Sequence, residues 1–202
     1  MNKELIENVK NYVNILLSPL QHLYYHQYDH ALDVMERAVE LWKKEWLDDE
    51  KLEILALAWL FHDTGFVIQY DKNEPIWAKI AKNYLRWMLY PEEKIEIIEK
   101  LILATDPSYT VWDDILEQII KDADLDNLWR DDFMDKFNNI QKELEYIKNI
   151  KTKDPNWIHW TIAFLENQKF STKTQEDERN EKKQKNIDLL KEMLKNLEKE
   201  NK

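Results

Sequence analysis

Apolar residues recur every three or four positions along most of this chain, and no segment shows a persuasive alternation of apolar and polar positions. That period belongs to helices that each bury one face. Leu5, Val9, Val13, Leu16 and Leu17 mark a first helix, which Ser18-Pro19 ends. Ala31, Val34, Ala38 and Leu41 mark the inner face of a second, expected from near Asp29 to Trp46. Lys51–Phe61 is nearly all apolar in its second half, which predicts a buried central helix. Pro75 fits the first turn of a helix reaching Met88, where its missing N–H would have no intrahelical partner. Pro91-Glu92-Glu93 opens another, its carboxylates complementing the positive end of the helix dipole. Asp106-Pro107-Ser108 reads as a turn, and helices follow over Asp113–Leu128, Asp131–Ile150 and Trp157–Glu166. In the highly charged stretch Thr174–Lys202, Ile187, Leu190, Leu194 and Leu197 form a stripe on a solvated helix. With no repeat and no Gly-, Pro- or Ser-rich linker, the expectation is an all-α, single-domain helical bundle. It covers residues 1–172, followed by a charged helical C-terminal extension over 173–202.

Composition narrows the functional classes. At 202 residues and 44% hydrophobic, the chain supports one domain with a sizeable core. No apolar run approaches the ~20 residues of a membrane span, and Met1-Asn2-Lys3-Glu4 lacks a secretory signature, so a cytoplasmic location is the default expectation. The absence of cysteine excludes disulfides, thiolate metal sites and a cysteine nucleophile. A net charge of -11 argues against general nucleic-acid binding, which depends on neutralising phosphates with Lys and Arg. A single glycine leaves no room for a Gly-rich phosphate loop.

The chemistry concentrates in few residues. Of five histidines, His26, His30 and His62 stand in two short polar motifs, and Asp63 and Asp124 complete a series of imidazoles and carboxylates. Such donors suit a divalent ion, which polarises a bound water or a phosphoryl oxygen; a hydrolase is the leading reading. His26 and His30 would share one face if both lay on a helix. His62 and Asp63 are neighbours, which on a regular helix point about 100° apart. Both reach one ion only where the backbone leaves the ideal helix, and Gly65 just beyond them makes such an end plausible. His159, between Trp157 and Trp160, reads as a packed core residue and His22 as a surface one.

The local strings carry a further message. Tyr25-His26 through His30-Ala31, then Leu60-Phe61-His62-Asp63-Thr64-Gly65-Phe66, then Asp122-Ala123-Asp124-Leu125-Asp126 with Arg130-Asp131-Asp132-Phe133, follow one another in that order. This order resembles the HD superfamily of metal-dependent phosphohydrolases, in one bacterial branch, over about Leu23 to Phe170. The resemblance implies a bundle of that type, with His30, His62, Asp63 and Asp124 as metal ligands. It implies His26 and Asp63 as catalytic residues, with His26 near the metal and donating to the leaving oxygen. Two histidines and two carboxylates suit Mn, Fe, Co, Ni or Zn better than Mg. The implied activity is cleavage of a phosphate ester of a nucleotide or other small phosphorylated metabolite by a metal-activated water. Arg130 is the candidate phosphate contact, its planar fork matching phosphate oxygens; a salt bridge to Asp131 or Asp126 is the alternative. Asn73 stands where the resembling branch often has histidine, which weakens the case for a second metal. Glu74 beside it would bond a metal water or a ligand, or remain a surface carboxylate. Asp122 would orient a ligand histidine or cap a neighbour. The rivals are a di-iron oxygenase on a related scaffold and a non-catalytic ligand-sensing domain, and the oligomeric state is open.

One glycine against nine tryptophans is odd, since glycine averages about 7% of residues. Trp46, Trp59, Trp77 and Trp129 stand where the resembling family suggests glycine. Either the source organism reads UGA as glycine and these codons were translated as tryptophan, or an AT-rich genome has biased the composition.

Overall fold

The computed structural model describes residues 1–106, 108–111, 113–150 and 155–200. Among these residues there are α-helices and short 3-10 turns, and no strand. The helices are α1 (Lys3–Leu17), α2 (Tyr28–Lys44), α3 (Asp49–Phe61), α4 (Glu74–Trp87), α5 (Glu92–Leu103), α6 (Ile115–Asp124), α7 (Phe133–Lys148), α8 (Pro155–Asn167) and α9 (Lys173–Glu200). Side chains set several of their starts. Asn2 accepts a hydrogen bond from the Leu5 N–H at 3.1 Å, Asp48 from Lys51 at 2.8 Å and Thr172 from Gln175 at 3.1 Å. Each satisfies an N–H that has no intrahelical partner. Pro75 sits in the first turn of α4.

The chain divides into two compact units, Met1–Asp124 and Leu125–Lys202. In the first, α3 is central and packs against α1, α2, α4, α5 and α6. Ile54 through Phe61 are all buried, as a continuous apolar run requires of a helix surrounded by others. The faces expected of α1 and α2 are buried too, through Leu5, Val9, Val13 and Leu17, and through Ala31, Val34, Ala38 and Leu41.

In the second unit Trp129, Phe133, Phe137, Ile158, Ile162 and Leu165 form a core with Ile187, Leu190 and Leu194 of α9. The apolar stripe of α9 is therefore packed, not solvated. The helix expected over Asp113–Leu128 is divided: α6 ends at Asp124, and a 3-10 turn follows over Asp126–Trp129. The Asp126 carboxylate is the physical reason. It is buried and accepts hydrogen bonds from Gln175 at 2.9 Å and from the Arg179 fork at 2.7 and 3.1 Å. His159, expected in the core, is exposed and lies 3.4 Å from Glu198. The turn expected at Asp106-Pro107-Ser108 lies partly outside the described residues, as do the final residues of the C-terminal helix.

Candidate metal centre

Three separate segments deliver the candidate ligands to one place in the first unit. His30 sits in the first turn of α2, and Asp124 is the last residue of α6. His62 caps α3, and Asp63 follows in a non-helical conformation, φ -105° and ψ 1°. The helix thus stops at Phe61, which lets two neighbouring side chains converge. His62 Nε2 lies 3.3 Å from Asp63 Oδ2 and 3.6 Å from Asp124 Oδ1. His30 Nε2 lies 3.5 and 3.8 Å from the same two oxygens. The donor atoms of His30, His62 and Asp124 all fall within 4.8 Å of one another.

The orientation of His62 has an identifiable cause. Its Nδ1–H donates to the Trp59 carbonyl at 2.6 Å, one turn back on α3. That bond leaves the Nε2 lone pair pointing inward. His62 Nε2 and Asp63 Oδ2 are buried and have no hydrogen-bond partner among the described residues. Two unpaired acceptors 3.3 Å apart in a buried place repel each other, and a cation between them removes the conflict. Donors about 2.1 Å from a shared ion in tetrahedral array stand about 3.4 Å apart, close to these separations. The residues fit a divalent ion.

Burial pushes the Asp124 carboxyl up, but the neighbouring His30, His62 and Lys121 outweigh it and hold Asp124 below its ordinary value. Burial pushes Glu74 up, and Asp106, Asp124 and Asp63 add to the shift. Lys121 is pulled down by burial, against the attraction of Asp124, Asp106 and Glu74. Its ammonium donates to the Asp106 carbonyl at 2.8 Å.

Three of the candidate ligands, His62, Asp63 and Asp124, line a cleft of roughly 630 Å³. His26 also lines it, from the segment before α2, which starts only at Tyr28. His26 and His30 therefore do not share a helical face. Their ring centres are 5.9 Å apart, and the His26 ring lies 4.4 Å from Phe66 and 6.1 Å from Tyr70. Asn73 and Glu74 line the cleft as well, and the Asn73 amide donates to the carbonyls of Gln69 and Tyr70. Arg130 belongs to the second unit, where its fork engages Asp132 and lies 4.0 Å from Asp126. Asp122 is buried on α6.

Sequence reasoning missed much of the cleft wall, including Phe66, Tyr70, Lys72, Trp77, Thr105 and Asp106. Lys72 carries a signal that the structure alone reveals, a left-handed backbone with φ 54°. Trp46, Leu89 and Asn149 share that conformation, but each closes a helix, whereas Lys72 stands in the cleft-lining loop. Gly65 does not reverse the chain through a positive φ, as a turn glycine would. It is needed for close approach, since a Cβ there would stand 2.7 Å from the Asn73 carbonyl oxygen and closer still to Trp77.

Residues 28–126 match the family model described as HD domain, a span that takes in His30, His62, Asp63 and Asp124. That span is an HD domain, consistent with the HD superfamily of metal-dependent phosphohydrolases, and HD domains bind divalent metal ions. No curated protein and no solved structure matches it. Among the described residues, no helix is long and apolar enough to cross a membrane.

Proposed function

We propose that this protein is a metal-dependent phosphohydrolase acting on a small phosphate ester, with a nucleotide as the leading substrate class. The observation that carries the reading is the convergence of two imidazoles and two carboxylates, three of which, His62, Asp63 and Asp124, line a cleft. His30, His62, Asp63 and Asp124 would hold the ion, with Mn, Fe, Co, Ni or Zn favoured over Mg by the nitrogen donors. Bound there, the ion supplies Lewis-acid polarisation of the phosphoryl group and acidifies water.

The protein's own residues account for the rest. His26 faces the cleft beside, and not within, the ligand cluster, where it donates a proton to the leaving oxygen. Phe66 and Tyr70, with ring centres 5.2 Å apart and planes tilted by 47°, give the cleft an aromatic wall against which a nucleobase could pack. Lys72 lines the same cleft and meets phosphate oxygens from its rim; the Arg130 fork, the alternative cation, is engaged by Asp132. Glu74 bonds a metal ligand or water.

The test is a panel of phosphate mono- and diesters, assayed with the purified protein under added Mn, Co, Ni, Zn or Mg. Phosphate release that depends on one of these ions supports the reading. A protein with bound metal that hydrolyses none of them contradicts it.

A further inference from the structure

Six buried side-chain atoms have no hydrogen-bond partner among the described residues, and they fall into two groups. His30 Nδ1, His62 Nε2 and Asp63 Oδ2 belong to the metal ligands. The other three are the indole N–H groups of Trp59, Trp77 and Trp157. A buried indole normally finds an acceptor, and an N–H left without one is penalised. Trp77 is also pressed against the chain's one glycine: an ideal Cβ on Gly65 would lie 1.9 Å from its Cδ1.

Trp46 is anomalous in a different way. It is 92% exposed and has φ 57°. It stands just past the end of α2, where the Leu47 N–H reaches back to the Trp42 carbonyl at 3.4 Å. That bond closes a helix over a left-handed residue, the position glycine fills most readily. A large apolar side chain there gains no burial and opposes the backbone. Leu89 occupies the equivalent place after α4, so this conformation alone does not single out a residue. The unpaired indoles and the count of one glycine against nine tryptophans point the same way independently.

We propose that positions 46, 59 and 77 are glycine in the native protein, encoded by UGA in an organism that reads this codon as glycine. Glycine removes the two orphaned N–H groups at 59 and 77 and relieves the left-handed backbone at 46. It keeps the carbonyl of residue 59, which alone makes the hydrogen bond to His62. Glycine within α3 has low helix propensity, but that helix is held by burial on every side. Trp129 is outside the proposal, since its indole N–H is not among the unpaired buried atoms; so is Trp157, which is only partly buried, whereas Trp59 and Trp77 are buried.

Position 77 gives the assignment a functional consequence. Trp77 lines the cleft, with its ring 6.0 Å from His62 and 5.6 Å from Phe66. With glycine there the cleft deepens beside the metal ligands, so residue 77 determines how large an ester fits. This consequence rests on the phosphohydrolase reading; the residue assignment does not.

The coding DNA and the intact mass of the protein purified from its source test the assignment. UGA at the three codons, with a mass lowered by one tryptophan-to-glycine difference for each, is expected; UGG at any of the three overturns it. Stability gives a second readout in the full chain. Trp59→Gly and Trp77→Gly should melt at or above the temperature of the tryptophan-bearing protein, whereas a lower melting temperature marks a native core indole and overturns the assignment. For the cleft, Trp77→Gly should lower KM for a nucleotide more than for a small alkyl phosphate. Equal changes sink the specificity claim alone, and absence of any metal-dependent hydrolysis sinks the functional reading instead.

Discussion

The Nδ1 atom of His62 lies 2.6 Å from the carbonyl oxygen of Trp59, one turn earlier on α3. A main-chain acceptor therefore sets the direction of the imidazole, and Nε2 faces Asp63 and Asp124 without needing a second-residue side chain to aim it. The helix that buries the core also orients a ligand.

His26→Ala separates proton donation from metal binding. The His26 ring faces the cleft and stands outside the cluster of donor atoms. The variant should keep its metal and lose ~10²–10⁴-fold in kcat, the usual contribution of a general acid. Metal content and kcat measured on one preparation check this; loss of the ion would make His26 a ligand.

Glu74→Gln probes the acidic side of the cleft in metal-free protein. The folded state raises the Glu74 pKa above its ordinary value of 4.5, through burial first and then neighbouring carboxylates. Ionised Glu74 therefore destabilises the fold at pH values above its raised pKa, and the cost vanishes below 4.5, where folded and unfolded states are both protonated. The variant should melt higher than the parent at neutral pH and match it in acid. Melting curves across this range check the sign, and a variant less stable at neutral pH contradicts it.

Lys72→Gly should move stability and affinity in opposite directions. The left-handed backbone of Lys72 costs about 1 kcal/mol for a residue with a Cβ, which glycine relieves. The same change removes a cation from the cleft. The melting temperature should rise by a few degrees while KM rises severalfold with kcat little changed. An unaltered KM would remove Lys72 from substrate binding.

The order of the helices was legible because most bury a periodic stripe and α3 a continuous apolar run. The residues of the candidate site stood out because three motifs place four potential donors in a fixed order, and the structure brings those segments together. What stayed hidden depends on partners distant in sequence. The break between α6 and the Asp126–Trp129 turn follows from Gln175 and Arg179, about fifty residues away, and no local period records it. The stripe on α9 looked solvated because its covering residues, Phe133 and Ile158 among them, lie on other helices. The loop carrying Tyr70 and Lys72 has no period at all; backbone acceptors for the Gln69 and Asn73 amides shape it. His159 was misplaced by its aromatic neighbours, one of which, Trp160, is itself exposed.

A metal that joins α2, the end of α3 and α6 binds the folded chain far better than the unfolded one. Chelation should therefore lower the melting temperature by several degrees while the circular dichroism stays helical, because the helices have their own apolar contacts. An unchanged melting temperature, in protein first shown to contain metal, would contradict a site built from three segments.

The most direct measurement pairs metal content with metal-dependent phosphate release in Asp63→Ala. The Asp63 carboxylate reaches both histidines, at 3.3 and 3.5 Å, and its loss leaves too few donors to hold the ion. Metal and hydrolysis should disappear together from a variant that remains folded. Full metal occupancy with parental activity would contradict the centre assigned here.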